Sequence, residues 1–218
     1  LPTFEDERMQ DEPEPENQKE EHQSYSVYEQ AQRYRTAKAV LQDIYALDAE
    51  HAEAVKALEQ LWEEGYTVAA HQLGKFYRDD LSTLRDHEKA EQWFRRSAEA
   101  GNDFSEYALG KLLLTQKRTV EAMEWLGKAA DHGSQFAQYR LGKIYLTGES
   151  VPKDVAKALA YLTASADQGN QFAQYTLGKL YLLGRDVPPD REQAKEWLIR
   201  SALPVSYTHL TLPTKLEV

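Results

Sequence analysis

The sequence contains no cysteine. That absence removes disulfides, thiolate zinc sites and cysteine nucleophiles together, and leaves the redox compartment open. No run approaches the ~18 consecutive apolar residues of a membrane-crossing helix, so no membrane span is expected. Basic charge is in deficit, with 26 Lys and Arg against 36 Asp and Glu, a formal charge of −10. An acidic chain is a poor starting point for gripping phosphate backbones through a basic face, so no direct nucleic-acid binding is expected. The phosphate-cradling run G-x-x-x-x-G-K-(S/T) and the nucleophile elbow G-x-S-x-G are both missing. Histidines are scattered, at positions 22, 51, 71, 87, 132 and 209. His87 and Glu91 share a helical face, but two donors do not make a metal site. The expectation is a protein without catalytic residues, metal or cofactor, and not an enzyme.

The charge that is present is unevenly placed. Residues 1–30 hold ten acidic residues and two basic ones. With proline in DEPEPE and few apolar side chains to offset its ordering entropy, this stretch is expected to be an acidic disordered linker. Leu1 in place of an initiator Met points to further sequence upstream. At the other end, residues 203–218 share nothing with the segment before them. The string VSYTHLTLPT from Val205 resembles the conceptual translation of a transposase adapter used in library preparation, a non-native tail set aside from fold reasoning.

Between these ends, residues 31–202 are governed by a repeat. LGKFY, LGKLL, LGKIY and LGKLY begin at Leu73, Leu109, Leu141 and Leu177, each with a small residue four positions earlier: Ala69, Ser105, Ala137 and Ala173. LQDIY at Leu41, with Ala37 upstream, is a weaker copy. The second pentad positions, 42, 74, 110, 142 and 178, are spaced 32, 36, 32 and 36. Each pentad is followed by a second segment containing Ala54, Ala90, Ala122, Ala158 or Ala194. Apolar residues recur at intervals of three and four in both segments, so each unit reads as two short antiparallel helices. Gly148 suits a left-handed helix end, Pro152 forbids continuation and Asp154 suits the next N-cap; Gly184, Pro188 and Asp190 repeat the set. The four-residue difference between copies falls in this loop, so the helices keep their length. A mid-helix Gly costs about 1 kcal/mol relative to Ala. Its recurrence at 74, 110, 142 and 178 implies close approach of the two helices in each hairpin. Trp93, Trp125, Trp197 and Tyr161 share one repeat position and read as packing residues.

The pattern A-x-x-x-L-G-x-x-Y, then G-x-x-V-x-x-D-x-x-K-A-x-x-x-(Y/W)-L, then A-x-x-G, resembles the Sel1-like repeat, a relative of the tetratricopeptide repeat. The copy from Ala137 to Gly169 matches nearly throughout; those from Ala69 and Ser105 lack the G-x-x-V loop. The resemblance implies an all-α, right-handed α-solenoid of about five hairpins, the last incomplete, acting as a scaffold or adaptor for a protein partner. A fainter likeness, acidic linker followed by these repeats, is to C-terminal regions of bacterial mobilisation proteins (relaxases), whose catalytic domain would lie upstream.

Two residues out of phase with the apolar stripe of each first helix, about 200° around it, lies a second stripe. It pairs His71 with Lys75, Tyr107 with Lys111, Tyr139 with Lys143 and Tyr175 with Lys179 at i,i+4 spacing. Arg140 occupies a neighbouring variable position. In solenoids of the resembled type these helices line the concave side. One reading is therefore a ladder of rings and cations that binds an extended peptide, with rings covering apolar area and lysines meeting carboxylates. The other is that each Tyr covers the adjoining unit and each Lys is a solvated helix residue. The unfinished last hairpin is expected to leave apolar surface uncovered around Tyr181 and Leu198.

Overall fold

The structure is a computed structural model that describes residues 16–79 and 86–203. Within them the chain forms ten helices and no strand: α1 Glu16–Gln42, α2 Asp48–Glu63, α3 Val68–Arg78, α4 His87–Glu99, α5 Asp103–Thr115, α6 Thr119–Asp131, α7 Gln135–Thr147, α8 Val155–Asp167, α9 Gln171–Leu183 and α10 Arg191–Ala202. They pair as consecutive hairpins, giving a layer of first helices (α1, α3, α5, α7, α9) and a layer of second helices (α2, α4, α6, α8, α10). The first part of the expected linker and all but the start of the expected tail lie outside the described residues.

One expectation is corrected at the start of the chain. Residues 16–30 are helical, not an irregular tether, because α1 runs for 27 residues from Glu16. The segment after Pro15 contains neither Pro nor Gly and is rich in Glu, Gln and Lys, all good helix formers. Its far end is anchored by tertiary contacts: Ala37 is buried, and Arg33 makes a two-pronged ion pair with Glu64 at 2.7 and 3.0 Å.

Close approach within each hairpin is confirmed. A Cβ built on Gly142 would lie 2.6 Å from Leu162 Cγ and 3.2 Å from the Leu162 backbone nitrogen. The same position meets Phe94 at Gly74, Leu126 at Gly110 and Leu198 at Gly178. The first helix comes so close to a large core side chain of the second that no Cβ fits at the glycine. Around that contact sit the repeated alanines and leucines, with Leu73, Leu109, Leu141, Leu162 and Leu177 almost fully buried.

The turns follow the sequence signals. Gly148 and Gly184 end α7 and α9 in the left-handed region, at φ 68° and 61°. Asp154 caps α8 by accepting from the Lys157 amide, and Asp190 caps α10 by accepting from the amides of Glu192 and Gln193. In the shorter unit the turn is Gln116–Arg118, with Lys117 at φ 59°. Long and short turns are tied by the same backbone bond: Asp154 N to Tyr145 O at 3.0 Å, Arg118 N to Leu113 O at 2.9 Å. The helices on either side keep 13 residues in α5, α6, α7 and α8.

In the last hairpin α10 runs for 12 residues, to Ala202. Tyr181 and Leu198 are only partly exposed. The uncovered apolar side chains are instead Phe172, Tyr175, Leu182, Leu183 and Ile199. Gln174 is buried, donates to Ala166 O at 3.1 Å, and leaves its Oε1 without a partner among the described residues. Its counterpart one unit earlier, Gln138, accepts from Gln168 Nε2 at 2.8 Å.

Candidate partner-binding site

The first-helix layer owes its charge to composition. α3, α7 and α9 contain no acidic residue and contribute Lys75, Arg78, Arg140, Lys143 and Lys179. Neither these cations nor Lys111 on α5 has a carboxylate at ion-pair distance among the described residues. Burial, and then the nearby guanidinium groups of Arg140 and Arg78, hold the Lys111 ammonium below its usual range. Like charges thus gather on this face without neutralisation.

Rings interleave with the cations in a fixed register. His71 meets Phe104 at a centroid distance of 6.2 Å, Tyr107 meets Phe136 at 6.0 Å and Tyr139 meets Phe172 at 6.0 Å. Each pair joins one first helix to the next. Lys111 lies over Tyr107 and Lys179 over Tyr175, at 5.3 and 5.5 Å from the ring centres. The rings of His71, Tyr107 and Tyr139 therefore do cover the adjoining unit.

Between α7 and α9 this arrangement opens into a groove of about 440 Å³. Tyr139, Lys143, Tyr175 and Lys179 line it together, as the stripe anticipates, over an apolar floor that includes Leu146, Leu180 and Leu183. Tyr175 is 52% exposed because no further phenylalanine covers it. Tyr107 and Lys111 belong to the preceding junction, Lys75 sits one helix further back, and Arg140 is not among the lining residues. Asp186, at the rim, is held by Lys153 at 2.5 Å.

His71 is placed differently from the other stripe residues. It is drawn into the joint between units, with Nδ1 2.6 Å from Ser105 Oγ. The Ser105 hydroxyl donates to Ser97 Oγ at 2.7 Å, which leaves the imidazole as donor from Nδ1. Burial, followed by the charges of Lys75 and Arg78, lowers its pKa from 6.5 to about 4, so the ring is neutral at pH 7.

Sequence reasoning passed over the phenylalanines, the leucine floor and Arg78. The repeated QFAQY at 135–139 and 171–175 carried the signal for the first of these. Trp93 and Trp125 are buried, as packing residues should be. Among the described residues no three His, Asp or Glu side chains are grouped as metal ligands would be, and no helix is long and apolar enough to cross a membrane.

The family model for the Sel1 repeat matches residues 67–102, 104–134, 135–170 and 171–203, more than half of the chain. The chain belongs to the Sel1 repeat family. The four matched units are the hairpins from α3 to α10, while α1–α2 lies outside the match. Among solved structures, a Sel1 repeat protein from Oxalobacter formigenes is 30% identical, with a TM-score of 0.68 over 79% of this chain and 72% of that one. The protein c5321 of uropathogenic Escherichia coli, described as a protective antigen with an SLR fold, is 27% identical, with a TM-score of 0.66 over 77% of this chain. The chain spans only 37% of the length of c5321. No curated protein matches the sequence. Sel1 repeat proteins are generally protein-interaction scaffolds and typically non-enzymatic. Neither the family match nor these two structures is a mobilisation protein, so the relaxase alternative gains no support.

Proposed function

We propose that this Sel1 repeat protein binds an extended segment of a protein partner along its first-helix layer, with the α7–α9 groove as the principal contact. The observation that carries this reading is the groove itself. Two tyrosines and two lysines, none of the four engaged by a carboxylate, surround an apolar floor. Such a site buries an apolar side chain against rings and meets neighbouring carboxylates with ammonium groups. Lys75, Lys111 and Arg140, along the same layer, extend the cationic track for a longer segment, while neutral His71 supplies a joint and no charge. Affinity then comes from several modest contacts in line.

The test is calorimetric titration of the 218-residue chain with a partner identified by cross-linking. Lys143→Glu combined with Lys179→Glu is expected to weaken binding at least ~10-fold, and raised salt to weaken the unsubstituted chain. Unchanged affinity with an intact helical spectrum would remove the groove from the interface.

A further inference from the structure

α1 and α2 alone form a second cleft, of about 660 Å³. Its place in the repeat register gives it meaning. Five kinds of side-chain contact join successive units. Tyr139 meets Phe172, as Tyr107 meets Phe136. Trp62 meets Trp93 edge-on at 6.3 Å, and Ser97 accepts from Ser105. Glu91 pairs with Arg118 at 2.8 Å and Arg95 with Glu121 at 2.6 Å. On the receiving side these contacts use the positions of Phe172, Ser105, Trp93, Arg118 and Glu121. Carried back to the first hairpin, the same positions are Thr36, Ala37, Ala57, Glu50 and Glu53. All five line the cleft. It is the receiving face of a junction, presented outward.

The matching giving face lies at the other end. Carried forward to the last hairpin, the positions of Tyr139, Ser97, Trp62, Glu91 and Arg95 become Tyr175, Ser201, Ala202, Lys195 and Ile199. Tyr175, Lys195, Ile199 and Ala202 are exposed. In this register Lys195 falls opposite Glu50, which is the Glu91–Arg118 pair with its signs exchanged. Ala202 falls opposite Ala57, two small residues in place of two tryptophans, which removes bulk from that point of the junction. Ile199 falls opposite Glu53, whose methylene stem must cover it.

We propose that a second copy of this chain stacks its α9–α10 face on the α1–α2 cleft, head to tail, continuing the unit-to-unit register from one molecule to the next. The contact is heterologous, so every association uses one face from each partner. This face shares Tyr175 with the partner groove but rests on neither of its lysines, and its test reads self-association rather than partner binding.

Sedimentation of the whole chain across a concentration series tests it, with circular dichroism to confirm folding of each variant. The unsubstituted chain is expected to grow in mass with concentration. Ala57→Arg blocks the receiving face, and Ile199→Glu, which sets a carboxylate against Glu53, blocks the giving face, so each variant alone stays monomeric, while a mixture of the two forms a one-to-one dimer and grows no further. Lys195→Glu weakens association at least ~10-fold and Glu50→Lys in the same chain restores it, whereas Glu53→Leu strengthens it. A monomer at all concentrations, growth of Ala57→Arg alone, or a mixture that stays monomeric overturns the proposal. Failure of the charge exchange to restore association overturns the assigned register.

Discussion

The two helical layers of this solenoid use charge in opposite ways. In the second-helix layer, Glu91, Arg95, Arg118 and Glu121 close on one another at 2.6–3.0 Å and tie α4 to α6. In the first-helix layer, Lys75, Lys111, Arg140, Lys143 and Lys179 face outward without a carboxylate. At the α4–α6 junction the second helices are tied through charge, whereas successive first helices from α3 to α9 meet through rings. Charge that is satisfied internally sets register, and charge that is left open is available to something else. That contrast also explains how an acidic chain carries a cationic face.

The contrast is most sharply broken by placing one substitution in both layers. Gly142→Ala, in a first helix, drives a methyl group into Leu162 and its backbone, and is expected to cost about 2–3 kcal/mol despite the better helix propensity of Ala. Gly127→Ala, in second helix α6, meets nothing within 4 Å and is expected to gain up to ~1 kcal/mol. Urea denaturation of both variants reads the two signs directly. A loss at both positions would mean that hairpin contact does not explain the repeated glycine.

Acid separates the layers next. His71 titrates near pH 6.5 when unfolded and about 4 when folded, so the unfolded chain takes up the proton first. Stability is complete above pH 6.5 and falls as pH drops toward 4, by about 2 kcal/mol between pH 7.5 and 5. His71→Gln should flatten that limb. Glu91 behaves differently: its burial is outweighed by hydrogen bonds from Arg95, Arg118 and Gln116, which together lower its pKa from 4.5. Its contribution persists to lower pH and is lost only as pH falls below about 4.5. Glu91→Gln should remove part of this lower limb while sparing the upper one. Denaturation midpoints measured from pH 3 to 8 distinguish the two.

A smaller effect sharpens the picture. Lys143→Ala should change stability by less than ~0.5 kcal/mol while weakening partner binding, because its ammonium supports no fold contact. A larger destabilisation would make it a structural residue.

What could be read in the sequence was whatever lies inside one hairpin. The glycine contacts, the caps at Gly148, Asp154, Gly184 and Asp190, and the confinement of length differences to the turn all depend on residues close in the chain. The stripe of Tyr139, Lys143, Tyr175 and Lys179 was legible for the same reason, since i,i+4 spacing fixes a helix face. The contents of the junctions were not. That His71 reaches Ser105 and Ser97, and that Tyr139 leans on Phe172, depend on how one unit sits on another. Even α1 escaped partly, because its helix-forming composition was outweighed in the reading by its net charge.

The turn between α5 and α6 is shorter than that between α7 and α8, yet both close with the same backbone bond and leave equal helices behind. Variation in unit size is thereby quarantined at one rim of the molecule. A gene encoding such a chain can gain or lose whole blocks of either size, and every surviving seam still meets a partner cut to the same pattern.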